Sequence, residues 1–202
     1  MDSATKKKWD RAAKAFDYMT GIGPDKRWGS EKRKLFSAMQ GKILFLALGT
    51  GLDIEFFPPE REITAIDISP RMLEIAMPRV DAYEGKIEAM EMDVRELDFP
   101  DASFDQVYTS CTFCSVPQPI DGLKSLRRVL KPGGSLRMFE HTGSQFFPFN
   151  LLMDVMTPVT RLFGPDVNRP TLDNVKAAGF IIEDVHNIYL DVVKTIYAVA
   201  PA

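Results

Sequence analysis

Cysteine and histidine are both scarce in this 202-residue chain, with two of each. The cysteines, Cys111 and Cys114, stand in C-x-x-C spacing, and no second pair exists to complete a four-thiolate metal site or a disulfide framework. A redox pair or half a metal site remains open on spacing alone. Buried thiols packing at a strand end are the expected arrangement, with no metal site. Long apolar runs are missing too. None approaches the ~18 residues a membrane-spanning helix requires. The N-terminus, MDSATKKKWD, has no apolar stretch behind its lysines of the kind a secretory signal carries. The expected compartment is the cytoplasm. A net charge of −3 argues against a generally basic nucleic-acid surface, and no nucleic-acid partner is expected. There is no internal repeat, low-complexity segment or linker, so one domain is expected over residues 1–202.

What is present is unevenly placed. Residues 1–34 carry ten Lys or Arg against five Asp or Glu, a basic arm on an acidic body. Thr5 to Met19 has helical periodicity, with Trp9, Ala12, Ala13, Phe16 and Met19 on one face. Gly21-Ile22-Gly23-Pro24 breaks it, and Trp28 to Met39 reads as a second short basic helix. From residue 43 strands and helices alternate. Strands are expected at 43–48, 62–67, 86–92, 104–110 and 135–140, with helices at 52–57, 69–78 and 117–130. Ser69-Pro70 supplies an N-cap followed by a first-turn proline. Lys131-Pro132-Gly133-Gly134 turns the chain from a helix into the next strand. This alternation predicts an α/β fold with a mainly parallel, doubly wound sheet. Thr171 to Ala178 reads as a helix. Phe180 to Tyr189 and Asp191 to Ala200 read as a closing antiparallel hairpin, which brings the sheet to seven strands. The intervening stretch, 144–163, carries too many Phe, Leu, Met and Val for one ordinary exposed helix. It either packs on the sheet or forms a greasy surface.

The most informative segment is Ile43 to Asp67. An apolar strand meets the turn Gly49-Thr50-Gly51, and about sixteen residues later a second strand ends on Asp67. Glycines let the backbone approach a ligand, and an acid at the next strand tip can accept from both ribose hydroxyls. Asp93 follows the third strand and Ser110 ends the fourth. In an open parallel sheet ligands bind at these carboxyl ends. A dinucleotide would place its pyrophosphate on the helix after the glycine turn. Asp53 and Glu55 at the head of that helix repel phosphate and suit a cationic ligand.

With these residues in place the chain resembles the class I S-adenosylmethionine-dependent methyltransferases over nearly its whole length. LFLALGTGLD is similar to the family's glycine motif and ITAIDISPRMLEIA to its ribose segment. The run from Met92-Asp93-Val94 to Lys131-Pro132-Gly133-Gly134 is similar to the stretch from adenine-binding acid to closing turn. The resemblance implies a Rossmann-like core over 41–202 beneath a helical lid over 1–40. It implies S-adenosyl-L-methionine as cofactor, with Gly49 and Gly51 under its methionine part and Asp67 on the ribose. Ile68 and Met72 would flank the adenine, Asp93 would accept from its amino group, and the Val94 N–H would donate to the ring. Ser110 would face the methionine end, and Tyr18 would close over the cofactor. Two positions depart from the pattern: Phe45 stands where the family has an acid and Ala47 where it has a glycine. The missing acid removes an electrostatic partner for the cationic cofactor.

Cys114-Ser115-Val116, Glu140-His141 and the Gly164 to Phe180 stretch resemble bacterial phosphatidylethanolamine N-methyltransferases, and also membrane-associated thiol methyltransferases. Both imply a lipophilic acceptor. N-methylation of phosphatidylethanolamine towards phosphatidylcholine is the first choice; S-methylation of an alkyl thiol or C-methylation of a quinone is the alternative. A cofactor-binding or lipid-binding module without turnover is the alternative of another class. His141 is the expected proton acceptor and Tyr189 an orienting group. Arg161 and Arg169 are candidates for a lipid phosphate. Residues 1–19 would rest on an anionic membrane with Trp9 and Phe16 down, making the protein peripheral on the inner face.

Overall fold

The computed structural model describes residues 1–21, 28–163 and 166–202. Seven strands form one sheet: β1 (Ile43–Leu46), β2 (Glu62–Asp67), β3 (Lys86–Glu91), β4 (Phe104–Ser110), β5 (Leu130–His141), β6 (Ile181–Tyr189) and β7 (Val193–Val199). Their spatial order is β3-β2-β1-β4-β5-β7-β6. Strands β1 to β5 pair in parallel, while β7 runs antiparallel to both β5 and β6. The expected doubly wound seven-stranded sheet with its closing hairpin is what the chain forms. β1 lies between β2 and β4, so the chain changes direction of winding there, and a crevice opens at that switch point.

Both faces of β1 are covered, which is why its four residues are all buried and apolar. Leu44 and Leu46 point into one core with Ile66, Val107, Leu136 and Met138. That core is closed by helix α4 (Pro119–Val129) through Leu123 and Leu126, and by α6 (Thr171–Ala177) through Val175. Ile43 and Phe45 point into the other, with Ile63, Ala65, Tyr108 and Phe139. It is closed by α2 (Gly29–Phe36) through Leu35 and Phe36, by the 3-10 turn Leu52–Phe56, and by α3 (Pro70–Asp81) through Ala76. Ser69 caps α3 by accepting from the Met72 N–H at 3.1 Å, with Pro70 in the first turn as expected.

Helix α1 (Ser3–Gly21) is longer than the expected 5–19, and α2 ends at Phe36 rather than Met39. Of the break expected at Gly21-Ile22-Gly23-Pro24, Gly21 is the last residue of α1; Ile22, Gly23, Pro24 and the side chain of Met19 lie outside the described residues. The greasy stretch forms helix α5 (Phe149–Phe163), which among its described side chains buries Met153 and Thr157. Phe149, Leu151, Leu152, Val155 and Met156 face outward, joined by Phe146 and Phe147. Of the two expected outcomes, the outward greasy surface is the one found for most of the described side chains, while Met153 packs on the core. Among the described residues, no helix is long and apolar enough to cross a membrane.

Candidate active site

A largely apolar cavity of about 460 Å³ opens at the carboxyl ends of β1, β2 and β4. Its floor is Leu46, Ala47 and Gly49 after β1 and Ile66, Asp67 and Ile68 after β2. Met92, Asp93 and Val94 follow from β3, Ser110 and Cys111 from β4, and His141 from β5. This is the volume range of a small-molecule site. Helix α1 forms the roof with Thr5, Trp9, Ala12 and Phe16, and the rings of Trp9 and Phe16 meet edge to face at 6.1 Å.

That roof corrects one expectation. Trp9 and Phe16 wall the cavity and are not presented to a membrane. A residue two positions on in a helix is turned about 200° away, so Tyr18 points outward and is 77% exposed rather than closing over the site. Several polar latches hold the roof. Ser69 Oγ donates to Asp10 at 2.6 Å, Arg79 pairs with Asp17 at 2.8 Å, the Asp2 N–H donates to Asp93 at 3.0 Å, and Lys6 pairs with Glu91.

Asp67 is buried at the tip of β2. Its two oxygens accept from the Gly49 N–H and the Ser69 N–H, both at 2.8 Å. Each oxygen keeps a second lone pair, so the carboxylate can still take two hydroxyl donors. Burial pushes its pKa up to about 6, the backbone donors oppose this, and nearby Asp10 adds to the rise. Gly49 has φ +60, and a side chain there would meet only Phe16, at 4.0 Å, so the turn leaves a ligand room. These groups fit the ribose of a nucleoside cofactor.

Gly51 has another task. With φ +82 its backbone is left-handed, and a side chain would press on Ile54 and Ala76 at 3.1 and 3.3 Å. It permits close packing of α3 and borders a different hollow, not this cavity. Asp53, expected to favour a cation, is instead paired with buried Lys32 at 2.8 Å, and neither it nor Glu55 lines the cavity.

Asp93 reaches the cavity with its lone pairs already used. Arg95 donates to both oxygens, from N–H, Nε and Nη2, and the Asp2 N–H takes the remaining place. Burial alone would raise its pKa, and these donors bring it down to about 2. An adenine amino group would have to replace the Asp2 N–H. Met72 and Val94 are buried on the cavity wall.

His141, the last residue of β5, is half-buried on the wall, and burial lowers its pKa so that the neutral ring is favoured near pH 7. Tyr189 is not brought to the cavity. Its ring packs on Trp28, the residue before α2, at 5.8 Å. Arg169 is committed to Asp166 at 3.2 Å, and the side chain of Arg161 lies outside the described residues. Cys114 is buried as expected, whereas Cys111 is exposed and borders the cavity; neither is in a disulfide. Sequence reasoning missed the roof residues Thr5 and Ala12 and the carboxylate of Glu140. Helical spacing from Trp9 was the signal for the first two.

A family model described as a methyltransferase domain matches residues 43–134. Human thiol S-methyltransferase TMT1B is 32% identical over 155 residues, 68% of this chain; the match spans only 63% of that protein. The ubiquinone/menaquinone biosynthesis C-methyltransferase UbiE of Geotalea daltonii is 30% identical over 218 residues, 94% of this chain and 92% of its own. A phosphatidylethanolamine N-methyltransferase of Cereibacter sphaeroides is 35% identical over 107 residues, 52% of this chain and 53% of its own. Among solved structures, a SAM-dependent methyltransferase from Aquifex aeolicus shares the fold at TM-score 0.65 and 18% identity, covering 99% of each chain. A nucleoside-fitting cavity at the switch point and a methyltransferase relative 30% identical over 92% of its own length lead to the same place: the chain belongs to the class I S-adenosylmethionine-dependent methyltransferases and uses that cofactor.

Proposed function

We propose that this enzyme methylates a lipophilic acceptor at a membrane surface, with the amine of phosphatidylethanolamine as first choice. The observation that carries this reading is the outward apolar arc of α5. Positions 149, 152 and 156 fall on one line of the helix and 151 and 155 on the next, all exposed, with Val155 at 68%. A contiguous exposed apolar face of this kind marks an interaction surface. Helix α1 adds a basic stripe: Lys7, Arg11 and Lys14 are exposed on the side opposite the cavity roof. Anionic headgroups attract such a stripe and an apolar helix face enters the interface. The protein then binds peripherally on the inner face of the membrane.

In this reading residues 1–202 are one methyltransferase domain and residues 1–40 its lid. Asp67 holds the ribose, Gly49 and Ser110 border the methionine end, and Ile68, Met72 and Val94 flank the adenine. S-adenosylmethionine supplies an activated methyl group on a sulfonium when bound. The chain aligns the acceptor, excludes water beneath α1 and removes a proton. The neutral imidazole of His141 accepts the proton of an ammonium acceptor, which frees the nitrogen lone pair.

The test supplies labelled cofactor with phosphatidylethanolamine vesicles and, separately, a small alkyl thiol. Lipid methylation that drops roughly 10²-fold in His141→Ala, with cofactor affinity kept, supports the amine. A thiolate forms near neutrality and needs a base less. Thiol methylation alone, indifferent to His141→Ala, therefore gives the acceptor to the thiol. Methylation of neither points to a quinone ring.

A further inference from the structure

The carboxylate of Glu140, next to last in β5, is wholly buried. One oxygen accepts from Thr109 Oγ1 at 2.8 Å and the Thr112 N–H at 3.2 Å; the other accepts from the Phe113 N–H at 3.1 Å. All three donors are neutral. Among the described residues no Lys or Arg forms an ion pair with it, whereas Asp17, Asp53, Asp93 and Asp166 each have one. Burial pushes its pKa up to about 7 against those hydrogen bonds. A buried carboxylate without a counter-ion is costly, and such groups gather at functional sites.

Its field reaches the cavity. The turn that Glu140 holds supplies Cys111, Thr112, Cys114, Ser115 and Val116 to the cavity wall. The buried Cys114 thiol is raised to about 12, first by burial and next by the charge of Glu140. Elsewhere the chain has withdrawn negative charge from this end of the site. Phe45, at the family's acid position, is sealed in the core.

Resting on the proposed seating of the cofactor with its methionine end towards Ser110, we propose that Glu140 is an electrostatic positioning residue. From behind the Cys111–Val116 turn it supplies the negative charge that favours the cationic cofactor over its neutral demethylated product. It takes over the task left undone at Phe45.

Calorimetry with S-adenosylmethionine and with S-adenosylhomocysteine, at pH 8 on the same preparations, separates charge from scaffolding. A purely structural role weakens both ligands alike, and a charge role changes the ratio of their affinities. In Glu140→Gln the preference for S-adenosylmethionine should fall by about fivefold or more, the size expected of one charge lying just behind the wall of a partly screened site. Thr109→Val removes one donor from the carboxylate and leaves both amide bonds to the turn. It should move the ratio the same way by a smaller factor, and it carries the test if the Gln variant does not fold. Asp67→Asn should weaken both ligands, since the ribose hydroxyls lose their acceptor. Unchanged affinities in Asp67→Asn would show the seating itself to be wrong, and the proposal would fall with it. With the seating intact, an unchanged ratio in Glu140→Gln, or equal weakening of the two ligands, would overturn the role of Glu140.

Discussion

In the proposed function Asp67 holds the ribose of the cofactor. It is held by two backbone N–H groups and keeps lone pairs for the ribose. Asp67→Ala should weaken S-adenosylhomocysteine binding by ~1.5–3 kcal/mol, because charge-assisted hydrogen bonds are lost; calorimetry measures this directly. The same residue gives a pH dependence of stability. Its folded pKa is about 6 against 3.8 for the ordinary carboxyl, and that of Glu140 is about 7 against 4.5. Folding therefore takes up protons between these limits. The resulting stability is complete below the lower values and is lost as pH rises through about 6 and 7. Asp93 runs the other way: held down to about 2, it stabilises above 3.8 and loses that contribution only as pH falls towards 2. The unliganded protein should melt at a higher temperature at pH 5 than at pH 7.5. Asp67→Asn should flatten this slope near pH 6. A melting temperature that climbs steadily from pH 5 to 7.5 would contradict the burial argument.

At the scale of elements, α1 and α5 are the two helices whose sequences ask for something beyond the sheet. α1 divides its faces cleanly. Trp9, Ala12 and Phe16 roof the cavity, and Lys7, Arg11 and Lys14 meet solvent. Reversing those three charges to Glu should abolish sedimentation with anionic vesicles and spare cofactor affinity. The wild-type association should weaken with salt, since exposed charges are screened over ~8 Å at physiological ionic strength. On α5, Leu151→Asp with Val155→Asp should reduce vesicle binding without lowering the melting temperature, because both side chains are already exposed. A loss of folding in that variant would mean that the arc is covered within the protein. Breaking the Arg79–Asp17 latch with Asp17→Ala should instead speed cofactor release, seen in dissociation kinetics. Its contribution to global stability should be small, as for other partly exposed pairs.

At the scale of the whole molecule, the site exists because β1 is flanked by β2 and β4 and the chain reverses its winding there. Five strand ends and the α1 roof meet around one cavity, so a ligand seated in it braces both halves of the sheet. Saturating S-adenosylhomocysteine, at about 100 times its Kd, should stabilise the fold by ~2.7 kcal/mol. The rise in melting temperature should be absent with NAD, whose pyrophosphate finds no open helix N-terminus in this cavity.

Strand and helix order, the Ser69-Pro70 cap, the closing hairpin and the place of Asp67 at a strand tip were legible in the residues, since each rests on a local pattern. A short apolar run decides a strand, a short polar side chain decides a cap, and a glycine turn followed by an acid marks a strand tip open to a ligand. What failed was direction. The basic amphipathic pattern of α1 announced an apolar face but not what would cover it, and the cavity took Trp9 and Phe16. Asp53 read as an acid awaiting a cation until the fold set Lys32 against it, and Gly51 as a ligand contact until α3 lay close by. Asp93 read as an open acceptor until Arg95 and Asp2 closed around it. Glu140 and Thr109 lie 31 positions apart, and only the pairing of β4 with β5 brings the carboxylate to its three donors. Spacing along the chain determines which groups are available; burial and the partners that arrive from distant segments decide which of them remain free to meet a ligand.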